Sequence, residues 1–267
     1  MTEKQNEHNM LMQFIEQDCY VDSKEKIAYP PVALSFGEKL VKSNKIEGDL
    51  IVPIPIGTFG NLSVVTAPPK TKKTFFISLL ASCYLSGSNQ FGGDIKGHRG
   101  TEGQLVHIDT EQGLWHCQKV FERVHKMDSN INSEIYHTFG LRSIDYKMRI
   151  QFIDYYLKEK IKAPSLIIID GIADLCSDAN NISESNHLVQ KLMEWSSLYK
   201  CHIINVIHQN FGSSKLGTGH LGSFLEKKAE TVIQLEANTV NKNWVTVKCG
   251  RSRGYAFETF SFEVNDF

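Results

Sequence analysis

Lys73 and Thr74 stand between an apolar run, Leu62 to Val65, and a second, helix-like apolar run, Phe75 to Leu85. A lysine followed by a hydroxyl residue, between a strand and a helix, is suited to holding phosphate. The lysine reaches the terminal phosphates and the hydroxyl ligates Mg²⁺. Backbone N–H groups at the helix start face the anion with the helix dipole behind them. The general loop pattern, G-x-x-x-x-G-K-[ST], reads here A-P-P-K-T-K-K-T, with Ala67 and Lys72 in the glycine positions. Pro68 and Pro69 lack N–H groups but occupy the early half of the loop, where they stiffen the backbone. The donors must then come from Thr71 to Thr74, with Pro69, Lys70, Thr71 and Lys72 completing the contacts. A lysine held at positive φ costs about 1–2 kcal/mol, but Lys72 also adds a second cation beside a triphosphate. A solvated, lysine-rich turn would have the same composition.

Three further strand ends bear on that choice. SLIIIDGIADL ends an apolar run at Asp170, placed to join Thr74 in holding magnesium. VHIDTEQG ends another at Asp109 and Glu111, and Glu111 is a carboxylate suited to polarising an attacking water. NVIHQN puts His208 and Gln209 at the same rim, where a polar group can sense a γ-phosphate. Each has a plainer explanation: a helix cap or turn for Asp170, a dipole-favoured carboxylate for Glu111, a strand-to-loop boundary for His208 and Gln209. Three such ends in this order after one degenerate phosphate loop favour a nucleotide site.

The elements that must position these groups follow from periodicity. Residues 1–33 stand apart as an arm, with Met10, Leu11, Phe14 and Ile15 at helical spacing and a stop at Tyr29–Pro31. Residues 34–267 form the second domain. There LSFGEKLVKS reads as a short helix and GDLIVPIPIGTFG as an extended lead-in. Strands then alternate with helices: LSVVTA, QLVHID, EIYHTFG, SLIIID and HIINVIH, each followed by a helical run. Apolar strands alternating with helices predict an α/β fold, a mainly parallel sheet covered on both faces. TVIQLE, NWVTVKCG and FETFSFEV alternate in polarity and predict antiparallel strands at the C-terminal edge.

Composition narrows the class. With 267 residues, 41% hydrophobic and 22% charged, the chain is globular, and its net charge of −1 provides no general basic field for nucleic acid. The scattered cysteines, Cys19, Cys83, Cys117, Cys176, Cys201 and Cys249, predict reduced thiols in a cytoplasmic protein. Residues 1–20 are polar and of mixed charge, unlike a leader, and no apolar run predicts a membrane span. The histidines make no zinc-type cluster.

Taken together, PPKTKKTF, HIDTEQG, LIIIDGIADL, VIHQN, GTGHLGSFLEKKAETVIQLE and VKCGRSRG with FETFSFEV resemble the RecA-like P-loop ATPases. Within them the chain is most similar to the branch of RepA-type and DnaB-type hexameric helicases, as single-domain proteins of bacterial mobile elements or phages. The resemblance implies a RecA-like fold from Leu34 onward, ATP and Mg²⁺ as cofactors, and single-stranded DNA as partner. It also implies a homo-oligomer, in this branch a hexameric ring, serving replication or mobilisation proteins. Lys73, Thr74, Asp170 and Glu111 take the phosphate, metal and catalytic roles. Gln209, with His208 beside it, couples the γ-phosphate to a DNA-facing loop. That loop is Phe211 to His220, with Lys215, Gly217, Thr218 and His220 as its contacts and glycines admitting backbone N–H groups to phosphate. Around Ser177 to Ser185 a second such loop is implied, though without Lys or Arg. Lys248, Arg251 and Arg253 match basic residues that reach a neighbouring subunit's γ-phosphate. The N-terminal arm would dock on a neighbour, and packing within its own chain explains its Met10, Leu11, Phe14 and Ile15 stripe equally well. Ala67 and Lys72 depart from the pattern. A nucleotide-dependent scaffold and a filament-forming recombination or accessory ATPase are the alternative functions.

Overall fold

The computed structural model describes residues 3–42, 49–87, 93–209 and 217–265. Backbone contacts divide the chain into two units, Met1–Pro30 and Pro31–Phe267. The first holds α1 (Glu3–Cys19), which carries Met10, Leu11, Phe14 and Ile15.

The second unit runs β1 (Val32–Lys42), β2 (Asp49–Thr58), β3 (Leu62–Ala67), α2 (Lys73–Ser86), β4 (Ile95–Gly97) and β5 (Gln104–Asp109). It continues with α3 (Leu114–Met127), β6 (Tyr136–Gly140), α4 (Tyr146–Glu159), β7 (Pro164–Asp170) and a 3₁₀ turn (Ile172–Leu175). Last come α5 (Ile182–Leu198), β8 (His202–His208), α6 (Gly219–Lys228), β9 (Thr231–Ala237), β10 (Trp244–Ser252) and β11 (Phe260–Glu263). Eight strands form the main sheet in the order β11-β10-β9-β3-β8-β7-β5-β6. From β9 to β6 every pairing is parallel, while β10 and β11 run antiparallel. This is the expected α/β sheet, with one correction. TVIQLE, read as antiparallel, pairs parallel with β3. The chain crosses back through α6, so β9 enters the sheet in the direction of β3 and is antiparallel only to β10.

Each central strand sends alternate side chains to opposite faces, and both faces are covered. Val65, Leu166, Ile168 and Ile204 pack on one side with α2 residues Phe76, Ile77 and Leu80. Val64, Ile167, Ile169 and Ile203 pack on the other with Ile153, Leu188, Leu192 and Trp195 of α4 and α5. That two-sided burial explains the near-continuous apolar runs. Cys83 and Cys201 lie in these cores and Cys117 is buried on α3, and burial pushes each thiol up to about 12, away from reactivity.

A second, smaller sheet has the order β2-β1-β4. It overturns the reading of LSFGEKLVKS as a helix. Ala33, Leu34, Ser35 and Phe36 are buried, and the register shifts where Gly37 takes φ 68°. Beyond that bulge Glu38, Lys39 and Lys42 are exposed, so the strand's second half loses its apolar alternation. The small sheet is fastened by a buried carboxylate: Glu230 accepts from the Thr58 N–H at 2.8 Å and from its hydroxyl at 3.0 Å. Among the described residues no helix is long and apolar enough to cross a membrane.

Candidate functional site

The C-terminal ends of four strands meet at one rim. In register, Ala67 of β3 faces His208 of β8, Val206 of β8 faces Asp170 of β7, and Asp170 faces Asp109 of β5. Between Ala67 and α2 lies the candidate phosphate loop. Lys70 and Lys72 both adopt left-handed backbone, at φ 63° and 57°. Lys72 therefore holds the conformation in which glycine is usual, at a local cost of about 1–2 kcal/mol. The Thr71 hydroxyl donates to the Pro68 carbonyl at 2.6 Å and closes the loop. No side chain caps α2, so its first turn retains the anion-binding character of a helix N-terminus. The Lys72 ammonium turns aside and donates to Asn243 Oδ1 at 3.2 Å.

Lys73 is buried, and its ammonium lies 2.7 Å from His208 Nδ1. Burial pulls its pKa down, and the carboxylates of Glu111 and Asp170 partly restore it. On its other side His208 Nε2 stands 3.3 Å from Glu111 Oε1. The hydrogen bond from His208 is the main reason that the Glu111 carboxyl lies below its ordinary range. Lys73, His208 and Glu111 thus form one chain across the rim.

Asp170 is the most enclosed of the acids. Burial first, then the charges of Asp109 and Glu111, push it up to about 7, while Lys73 and a hydrogen bond from Thr74 work the other way. Its Oδ2 is buried with no partner among the described residues. A buried acceptor in that state suits a cation or one of its waters. Thr74 and Asp170 together fit Mg²⁺, which takes few protein ligands and keeps several waters.

The turn after β5 is built to present Glu111. Asp109 Oδ1 accepts the N–H groups of Glu111 at 3.0 Å and Gln112 at 2.8 Å, and its Oδ2 accepts from the Gln112 side chain. Thr110 donates its hydroxyl to the Gly171 carbonyl at 2.8 Å, fixing β5 against β7. Gly171 has φ 98°, and a Cβ there would come within 2.3 Å of the Thr110 hydroxyl. The D-T-E-Q spacing is the signal by which Asp109 could have been recognised as the orienting residue. Lys70 to Thr74, Glu111 and His208 line a pocket of about 420 Å³. His116, Lys119 and Arg123 of α3 line it too. They escaped the sequence reading because a charged helix face looks like a solvated one.

The remaining candidates fall elsewhere. Pro69 is exposed on the loop. Gln209 donates its N–H to the Ala67 carbonyl at 3.0 Å and bridges to Gly217. The Thr218 N–H and hydroxyl both donate to the His208 carbonyl, at 2.9 and 2.8 Å. Gly217 and Thr218 correct the expectation of N–H groups offered to DNA phosphate. Gly217 is buried and donates to Glu226 Oε1 at 2.7 Å, and the Thr218 donors serve His208. His220 is exposed at the start of α6, and Lys215 lies outside the described residues. The Ala179 carbonyl accepts the Leu221 N–H at 3.0 Å, which ties the loop after Cys176 to α6. Lys248 pairs with Glu236, Arg253 donates to the Lys228 carbonyl, and Arg251 is exposed on β10. None of these three lines the pocket.

Comparison with known proteins adds a family and a fold. The AAA domain family matches residues 54–213, a stretch that includes the loop, Glu111, Asp170 and His208. No curated protein matches the chain. Among solved structures, the crystal structure of the RadB recombinase is similar with a TM-score of 0.51 and 15% identity. That likeness covers 78% of this chain and 90% of that one. At such identity it shows the fold, which is RecA-like.

Proposed function

We propose that this chain, which belongs to the AAA domain family, binds ATP with Mg²⁺ and hydrolyses it to drive movement on single-stranded DNA. The observation that carries this reading is the convergence of Lys73, Thr74, Glu111, Asp170 and His208 on one rim, with Asp170 Oδ2 left unpartnered.

In this reading Lys73 and the α2 N-terminus hold the β- and γ-phosphates. Thr74 and Asp170 would hold the cation, which would supply positive charge to offset that of the phosphates. Glu111, kept ionised by His208, orients water for attack on the γ-phosphate. When a γ-phosphate takes the Lys73 ammonium, His208 loses one of its two partners at the rim. Its carbonyl is bonded to Thr218 and the next residue bridges Gly217, so the change passes to the segment before α6. Gln209 and His208 thus couple nucleotide, through Gly217 and Thr218, to a DNA-facing loop that includes Lys215 and His220. Arg251 or Arg253 acts on a neighbouring subunit's nucleotide, with Lys248 beside them, so the working form is an oligomer. We assign a hexameric ring of the RepA or DnaB type, cytoplasmic, with the N-terminal arm before β1 docking on a neighbour.

The likeness to the RadB recombinase favours a second reading, a recombination or accessory ATPase that forms filaments. ATP turnover with and without single-stranded DNA tests the motor. DNA-stimulated hydrolysis that disappears in Lys73→Ala and Glu111→Ala is the expected result. ATP binding without turnover would leave a nucleotide-dependent scaffold in its place. Light scattering with and without nucleotide separates a ring of fixed mass from a growing filament.

A further inference from the structure

Along α3, His116, Lys119 and Arg123 recur at about one-turn spacing and line the phosphate pocket. None of them has a part in the mechanism above. Among the described residues of that lining, Lys70, Lys72, Lys73, Lys119 and Arg123 stand against the single carboxylate of Glu111. Three of these cations are engaged already: Lys72 with Asn243, Lys73 with His208, and Lys119 with Glu122 at 2.7 Å.

Arg123 is held differently. Its side chain is half-buried, with the guanidinium 3.7 Å from the Phe75 ring centroid and Nη1 donating to Ser78 Oγ at 3.2 Å. The Ser78 hydroxyl donates in turn to the Thr74 carbonyl at 2.9 Å, which anchors the arginine to the first turns of α2. Stacking covers a face of the guanidinium and leaves its edge, where the N–H donors lie, for other partners. Among the described residues no carboxylate pairs with it, and burial pulls its pKa below the ordinary arginine value. A cation fixed in place, partly desolvated and without a counter-charge is completed by an anion. Its position says which part of the anion. Ser78 lies about 7.5 Å beyond Lys73 along the axis of α2. Glu111 and His208 stand at the rim instead. The guanidinium is therefore set back from the groups assigned to the γ-phosphate.

We propose that Arg123 is a phosphate-binding residue of this pocket, gripping the part of the phosphate chain that ATP and ADP share, with Lys119 as the next cation along the same wall. The inference rests on the phosphate reading given above and adds a residue that holds product as firmly as substrate. A contact made equally with both contributes binding and no rate. Its role is thus separable from that of Glu111, which acts on water.

Calorimetric titration of the full chain with ATP and with ADP, both with magnesium, tests it beside steady-state turnover. Arg123→Gln is expected to weaken both nucleotides by the same factor, about tenfold. KM should rise by that factor, with kcat within about twofold of the parent. Arg123→Lys keeps the charge, so it should recover part of the affinity at low salt and lose that recovery at high salt. An arginine that only braced α2 against α3 would lower kcat through Thr74 instead, and lysine would rescue no affinity. Either of those results overturns the proposal, as do unchanged affinities in Arg123→Gln or a loss confined to ATP. If Arg123→Gln does not fold by circular dichroism, Arg123→Lys is read alone, with a loss for both nucleotides that grows with salt. Unchanged affinities there, or a loss for ATP only, overturn the proposal equally while the phosphate site stands. Failure of both nucleotides to bind the unsubstituted chain would remove the phosphate reading, and this one with it.

Discussion

Charge is handled in opposite ways at the rim of β3, β5, β7 and β8 and at the edge formed by β10 and β11. At the rim Lys73, Asp109 and Asp170 are buried, the lysine drawn down and the two aspartates pushed up. At the edge Arg251 and Arg253 are exposed, and Lys248 is paired with Glu236. Desolvating charges is expensive unless something compensates them. The rim therefore makes physical sense as a site completed by a ligand, within one chain. For the edge arginines no such local reason exists, and in the proposed mechanism their work is done on another copy.

The contrast is broken most strongly by Arg251→Ala and Arg253→Ala made separately. An arginine supplied in trans is worth about 10³-fold or more in turnover. One of the two variants should lose about that much hydrolysis while binding nucleotide normally. Mixing it with a Lys73→Ala chain, which keeps its arginines, should restore part of the activity. Activity that both arginine variants retain in full would leave the edge without a catalytic role. Glu111→Gln sharpens the rim side. It should lower turnover by about 10²-fold and keep ATP affinity, since the carboxylate acts on water rather than on the phosphates. A weakened affinity with normal turnover would contradict that division of labour.

Asp170→Asn tests whether the rim is strained for function. A carboxyl with a folded pKa near 7 and an unfolded value near 4 binds more protons folded than unfolded between those limits. Its ionised form therefore destabilises the nucleotide-free chain most fully above pH 7, and the penalty fades as pH falls toward 4. The variant should be more stable than the parent by about 2 kcal/mol at pH 8 and nearly equal to it at pH 4. Denaturant melts at the two pH values measure the difference. A variant less stable at pH 8 would mean that the buried oxygen is not a liability.

The same two regions differ in how much of them the sequence discloses. Asp170, Glu111 and His208 are legible because each follows an apolar strand, and a strand end is a place that sequence can locate. Arg123 is not, since only the approach of α3 to α2 turns its face toward Phe75 and the pocket. Strand β1 was hidden by a bulge at Gly37 and by the exposed charges after it, and β4 spans only Ile95–Gly97, too short to show a period. The parallel course of β9 depends on its placement beside β3, which alternation of polarity does not encode. Lys215 belongs to a segment outside the described residues, so the proposed DNA-facing loop is read from sequence there.

The smallest effect concerns the glycine that the loop lacks. Lys72 and Lys200 both hold positive φ, at 57° and 49°, one in the phosphate loop and one just past α5. Each position strains a side chain that glycine would spare, by about 1 kcal/mol net of glycine's greater unfolded entropy. Lys200→Gly should therefore raise stability by about that amount and leave nucleotide binding alone. Lys72→Gly should gain less, because it also gives up the bond to Asn243 Oδ1. If the second cation compensates for the lost glycine, the Lys72 variant should also bind ATP several-fold more weakly, with the loss shrinking at high salt. Equal stabilisation at both positions with unchanged ATP affinity would mean that Lys72 is a tolerated accident of the loop, and that backbone N–H groups and Lys73 hold the phosphates without it.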